Sequence, residues 1–374
     1  MAAATPSSLL AAQARRLYCE QLQRLMPRVA GTLTERVRDR IAEQARDDRT
    51  ARIALALFAE PDDPTTGRLV ERVGAVETVR LLASNGVVPG MGKEAAALWR
   101  KHFQPERQPN ALRDVLRMTE TLDLATLIPG DRHFPASLHD LGERLPFVLW
   151  AKGAVSLLAG ELTDRFSITG SRAATSYGVH VAGEIASDLA SQEKVLVSGG
   201  AYGIDAAVHR GALAAGGHTV AVMAGGLDRP YPVGHRELLE RIGDLGLLVS
   251  EQPPGAVPTR GRFIARARLA AAVSGSTTIV EAAGRSGALL VAQRAQELGR
   301  VVGAVPGPVT SAASTGTHRL LREGLASLVT DSADLLALLD QRAVSSSTRS
   351  IDRQAVASGM AQQSPSLTMM PRDL

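Results

Sequence analysis

The chain of 374 residues contains one cysteine, Cys19, which excludes a disulfide framework and a cysteine-built zinc cluster. Aromatic residues make up only 3%: six Phe, four Tyr and two Trp. That scarcity argues against nucleic-acid readers that stack bases on aromatic platforms. No apolar run approaches the roughly 20 residues of a membrane helix. Met1 to Ser8 lacks the charged start and apolar core of a secretory signal, so the expected location is the cytoplasm. No phosphate-loop motif Gly-x-x-x-x-Gly-Lys-Ser/Thr occurs, which excludes a P-loop ATPase. The glycine-rich stretch from Gly170 to Gly178 is not the GxGxxG fingerprint, and no acid ends the second strand of the doubly wound pattern described below. No bound cofactor is expected.

The net charge is +4, but residues 15–52 hold ten Arg against six acids, and the rest sums to about zero. A basic site has to be argued locally. Residues 9–58 read as helix, with Leu9, Leu17, Leu22, Val37, Ile41, Ile53 and Leu57 spaced among charges. Residues 1–50 are taken as an Arg-rich helical extension. It is either a solvated surface or an accessory nucleic-acid contact. Glu60-Pro61-Asp62-Asp63-Pro64 is a break. Thr65 or Thr66 is then placed to cap a helix that ends at Gly74, and a second helix runs on to Asn85-Gly86. This pair looks like a helix-hairpin unit. Further helices are expected over Ala95–Phe103 and Ala111–Leu124, making residues 51–124 a small helical domain.

From about residue 145 the texture changes. Six short apolar runs, at 166–169, 195–197, 219–223, 247–249, 277–280 and 301–305, alternate mostly with helical patterns. This predicts an α/β fold with a doubly wound, mostly parallel sheet. Ligands bind outside the carboxyl ends of the strands in such sheets. Those ends carry Gly170-Ser171-Arg172, Ser198-Gly199-Gly200, Gly225-Gly226, Ser250-Glu251, Glu281 and Ser286-Gly287. Glycine admits a phosphate to the unpaired N–H groups of helix starts, and Arg172 adds a bidentate grip. An anion site is the expectation. Arg172 paired with a sheet-end carboxylate is the alternative.

Residues 252–280 contain Arg260, Arg262, Arg266 and Arg268 and no acid. Four uncompensated cations in nine residues predict an anionic partner. If the segment is helical, Arg262 and Arg266 share a face. Asp205 and His209 are four apart at a helix start. Two ligands without a third are a weak metal signal, so no metal is expected. Asp205 more simply complements the helix N-terminus, with His209 packed beside the loop. Glu281 is the one acid to consider for catalysis. After Asp340 the chain is Ser-rich and irregular, and residues 341–374 are expected to be disordered.

Together these segments resemble the DprA/Smf family of DNA-processing proteins over roughly residues 125–340. The resemblance runs through Ile168–Arg172, Ser198–Asp205, His209, Ala221–Asp228, Tyr231-Pro232, Ser250-Glu251, Phe263–Arg268, Val280–Ala282, Ser286–Ala288 and Val305–Gly307. The helices before 125 are similar, less specifically, to the family's small helical (SAM- or helix-hairpin-like) domain. The resemblance implies an extended Rossmann-like core without catalysis that binds single-stranded DNA, forms a homodimer and delivers the DNA to the RecA recombinase in natural transformation. It puts the DNA on Gly170, Ser171, Arg172, Ser198, Gly199, Gly203, Asp205, His209, Gly225, Gly226, Arg262, Arg266, Arg268, Glu281, Ser286 and Gly287. The chain departs from the family pattern at Gly200, Ala267, Val291 and His318. The alternative is a nucleotide phosphoribohydrolase-like enzyme, with Glu281 as the acid and Arg172 as the phosphate clamp. A third is a relative kept only for protein contacts.

Overall fold

The computed structural model describes residues 38–103 and 110–342. The Arg-rich segment before residue 38 and the Ser-rich tail after 342 lie outside the described residues. The chain divides into two compact units. The first holds residues up to Gly160 together with Thr219–Val273, and the second holds Glu161–His218 and the residues from Ser274 on.

The first unit begins with helical residues 38–44 and a break at 45–47. Helices α1 (Asp48–Phe58), α2 (Pro64–Val73), α3 (Ala75–Ala83), α4 (Lys93–His102) and α5 (Ala111–Thr121) follow. The continuous helix expected over 9–58 is thus interrupted within its described part. Asp47 accepts a hydrogen bond from Thr50 N and starts a new helix there. The cap of α2 is Asp63, not Thr65 or Thr66. Its carboxylate accepts from Thr65 N, and Pro64 takes the first helical position, where no N–H is needed. Gly74, at φ +82, ends α2 and opens α3 as expected.

Strands β1 (Ala125–Leu127) and β2 (Leu149–Gly153) had no counterpart among the six expected runs. In this unit the order is β1-β2-β6-β5, with β5 (Thr219–Val222) and β6 (Leu247–Ser250) parallel and β1 and β2 antiparallel. Helix α8 (Arg236–Leu245) joins β5 to β6, and α9 (Arg260–Ala272) follows. One apolar cluster joins Leu55, Leu69, Val79 and Leu112 of the helices to Phe147, Val148 and Trp150. It therefore runs across the domain boundary expected near 124. Both tryptophans are buried here, and each indole donates to a threonine hydroxyl: Trp99 to Thr66 at 2.9 Å and Trp150 to Thr119 at 3.1 Å.

The second unit holds β3 (Arg165–Thr169), α6 (Ser176–Ser191), β4 (Val195–Ser198), α7 (Ile204–Ala214), β7 (Ser276–Ile279), α10 (Ala288–Glu297), β8 (Val301–Ala304), α11 (Thr315–Arg322) and β9 (Ser327–Leu328). Its strands run in the order β4-β3-β7-β8-β9, and all four neighbouring pairs are parallel. The chain winds outward from β3 to β4 and later returns to β7 on the other side of β3. The order therefore reverses between β3 and β7, the place where doubly wound folds hold ligands. Each of the six expected runs is a strand, and the fold is the expected α/β, mostly parallel, Rossmann-like type with a helical region before it.

Candidate nucleic-acid interface

At the reversal point of the second unit the loop after β3 is held by one residue of the next strand's end. Ser171 N donates to the Glu281 carbonyl oxygen at 2.7 Å. Thr175 N donates to Glu281 Oε2 at 2.9 Å, and Thr175 Oγ1 bonds Oε1 at 2.5 Å. Thr175 is in turn the N-cap of α6 and accepts from Gly178 N. The Glu281 carboxylate, buried at 2% exposure, therefore sits at the start of α6. A Cβ on Gly178 would collide with that carboxyl group, and a Cβ on Gly170 would lie 2.7 Å from the Glu281 carbonyl oxygen. The expectation that these glycines open room for a phosphate is corrected: they open room for Glu281.

The turn that leads into α7 is likewise held by a carboxylate. Asp205 is buried, accepts from Thr169 Oγ1 at 2.7 Å and from Ala201 N at 3.2 Å, and so closes the turn after β4. Ser198 donates to the Ile168 carbonyl and is buried with Gly199. His209 is fully buried in α7. Asp205, His209, Ser198 and Glu281 are therefore interior groups that shape the edge. Gly203, at φ +75, lets the first turn of α7 press against the carbonyls of Ser171 and Arg172. Around this frame Arg172 is exposed, Ser171 half-buried, Ser286 half-buried and Gly287 exposed.

In the first unit Gly225 and Gly226 are buried against residues 253–258, with Gly226 N donating to Ala256 O at 2.9 Å. They too admit protein instead of a ligand. Segment 260–268 is helical, as α9, and two of its cations, Arg262 and Arg268, face acids distant in sequence. Arg268 is buried at 2% exposure and donates Nη1 and Nη2 to Glu251 Oε1 and Oε2, each at 2.7 Å. Its Nε lies 3.3 Å from Asp62 Oδ1 and donates to Arg144 O. Burial opposes the guanidinium charge, but Glu251 and then Asp62 outweigh it and raise the Arg268 pKa. Arg268 as a phosphate contact is thus corrected, because its donors are spent inside the fold. Arg262 Nε stands 3.6 Å from Glu60 Oε2, and its Nη1 donates to Val257 O.

Arg266 is half-buried and lies over the Phe263 ring, 5.3 Å from its centroid. Phe263 meets the Tyr231 ring at 5.7 Å, and Tyr231 keeps 43% of its surface exposed. Sequence reading missed this pair as a unit, because 32 positions separate Tyr231 from Phe263. Of the departures from the family pattern, Ala267 and Val291 are buried, and His318 Nε2 lies 3.0 Å from Gly307 O.

These features define a doubly wound α/β protein in which the chain's own carboxylates, Glu281 and Asp205, bind the segments that lead into the helices after β3 and β4. The chain belongs to the DNA recombination-mediator protein A family, whose model matches residues 125–340. A Mycobacterium tuberculosis protein described as DNA processing protein DprA is 44% identical over 293 residues, covering 75% of this chain and 72% of that one. The Streptococcus pneumoniae DNA processing protein DprA is 39% identical over 207 residues, 55% and 71% of the two chains. The X-ray structure of DprA from that species superposes with a TM-score of 0.61 at 29% identity, covering 76% of this chain and 95% of that chain. A Helicobacter pylori DprA structure, described for its single-stranded DNA binding mode, matches at a TM-score of 0.53 and 29% identity, over 59% of this chain and 96% of that one. Among the described residues, no helix is long and apolar enough to cross a membrane.

Proposed function

We propose that this protein binds single-stranded DNA without reading its sequence, as a binder and not a catalyst. The observation that carries the reading is the Arg266–Phe263–Tyr231 group on the first unit. A cation stacked on half-buried Phe263, with exposed Tyr231 beside them, suits a flexible strand that offers both phosphates and unstacked bases. Arg172, exposed on the second unit, supplies a further cation. Phosphate contact is blind to sequence and weakens with salt. The relation to the H. pylori protein supports the same ligand.

A binding role is further supported by Glu281. The acid that a phosphoribohydrolase-like reaction would use is buried and engaged by Thr175. Protection of DNA in the cytoplasm, assembly as a homodimer and delivery of the strand to RecA complete the reading. Family membership supports them. The test is a fluorescence-anisotropy titration of matched single- and double-stranded oligonucleotides at two salt concentrations. Tighter, salt-sensitive, sequence-tolerant binding of the single strand is expected. Equal or better binding to the duplex overturns the reading.

A further inference from the structure

In doubly wound folds the start of the helix after the first strand is where a nucleotide phosphate rests, because its N–H groups have no intrahelical partner. Here the Glu281 carboxylate takes one of those donors, Thr175 N, with one oxygen and the Thr175 hydroxyl with the other. The same residue's carbonyl holds Ser171 N at the loop's other end. One residue thus clamps both ends of the segment that carries Arg172. The Ser171 end is pinned further by Ile204 N, which donates to Ser171 O at 3.1 Å. Gly170 and Gly178 are both shaped to Glu281, since a Cβ on either would meet its carbonyl or carboxyl atoms.

We propose that Glu281 is a positioning and specificity residue: it fills the crevice against mononucleotides and holds the 170–175 loop so that Arg172 stands outward for a backbone phosphate. The proposal rests on the single-stranded DNA reading above. Its chemistry is a substitution of anions. A side-chain carboxyl built into the chain occupies this helix start, so a free nucleotide phosphate would have to displace it. The external anion is met by the Arg172 side chain instead. A polymer phosphate can reach a protruding cation without entering the crevice.

The substitutions Glu281→Gln and Glu281→Ala separate geometry from loss. The Gln carbonyl can still accept from Thr175 N, and its amide can donate to the Thr175 hydroxyl oxygen, which has acceptor capacity for it. The salt dependence of single-stranded DNA affinity is measured for wild type, E281Q, E281A, R172A and R172A/E281A. R172A is expected to lower the logarithmic salt slope by about 0.7, the value for one phosphate on a single strand. E281A is expected to lower it equally, the double variant to fall no further, and E281Q to keep the wild-type slope. AMP at millimolar concentration leaves the wild-type titration unchanged. If E281A does not fold, Thr175→Ala, which removes the hydroxyl contact and keeps Glu281, replaces it with the same expectation. A role confined to stability moves the melting temperature but not the slope of the folded protein. A wild-type slope in E281A, additive losses in the double variant, or competition by AMP overturns the inference while the DNA reading stands. An R172A slope equal to wild type likewise overturns the inference and leaves the DNA reading standing, whereas failure of wild type to retain the oligonucleotide overturns both.

Discussion

Arg268 of α9 and Glu251 at the end of β6 form a buried bidentate ion pair, with both guanidinium–carboxylate bonds at 2.7 Å and exposures of 2% and 6%. Asp62 and the Arg144 carbonyl take up Nε on the other side. The helix that presents Arg262 and Arg266 is therefore locked at its middle by a charge cluster whose acids come from the loop after α1 and from a strand end.

Removing one partner of such a pair leaves the other charged and buried. Arg268→Ala is expected to cost about 3–5 kcal/mol of unfolding free energy, measured by urea titration. Arg268→Lys rescues little, because a single ammonium cannot match two carboxylate oxygens at once. The salt slope of DNA binding by the folded Arg268→Ala protein should equal that of wild type. A reduced slope at unchanged stability would show that Arg268 contacts DNA after all.

Arg266 makes the opposite forecast. Its replacement by Ala should lower the salt slope by about 0.7 and cost less stability than Arg268→Ala, because Arg266 is half-buried and gives up a ring contact with Phe263 and a bond to Val222 O in place of a buried ion pair. Phe263→Ala should leave the slope alone and weaken binding by about 1–3 kcal/mol through lost base stacking. An oligonucleotide lacking bases should bind wild type and Phe263→Ala alike, which anisotropy with an abasic strand measures.

Gly178 and Gly287 are a matched pair of glycines. A Cβ on Gly178 collides with the Glu281 carboxyl group, whereas a Cβ on Gly287 has open space and an ordinary φ of −64°. Gly178→Ala should destabilise the protein by about 1–3 kcal/mol, the usual range for overpacking. Gly287→Ala should be neutral or slightly stabilising. Thermal melts of the two variants check this.

Asp131 accepts from Arg49 Nη2 at 2.7 Å and from Ile128 N at 2.8 Å. Burial alone raises its pKa, but the Arg49 and Ile128 bonds outweigh that and hold it below the ordinary value. A depressed folded pKa means the unfolded chain takes up the proton first as pH falls. The stability from this contact is complete above the unfolded pKa of about 3.9 and is lost as pH drops through the lower folded value. Asp131→Asn should therefore melt below wild type at pH 7, and the gap should close toward pH 2.5. A constant gap would assign the effect to something other than the charge.

The sequence by itself determined the architecture. Alternation of short apolar runs with helical patterns is a local signal, and all six runs are strands. The glycine-rich strand ends and the Arg-rich segment 260–268 were legible for the same reason, because composition within a few residues carries them. β1 and β2 were not, since short antiparallel strands are fixed by their neighbours more than by their own pattern. What occupies the glycine-rich edge was decided by tertiary structure alone. Glu281 reaches Thr175 across 106 positions, and Asp62 reaches Arg268 across more than two hundred. A glycine that admits a phosphate and one that admits a carboxylate look the same in sequence. So do an arginine with no acid beside it and one whose acid arrives from another strand, because charge compensation depends on distance in space, which the fold sets.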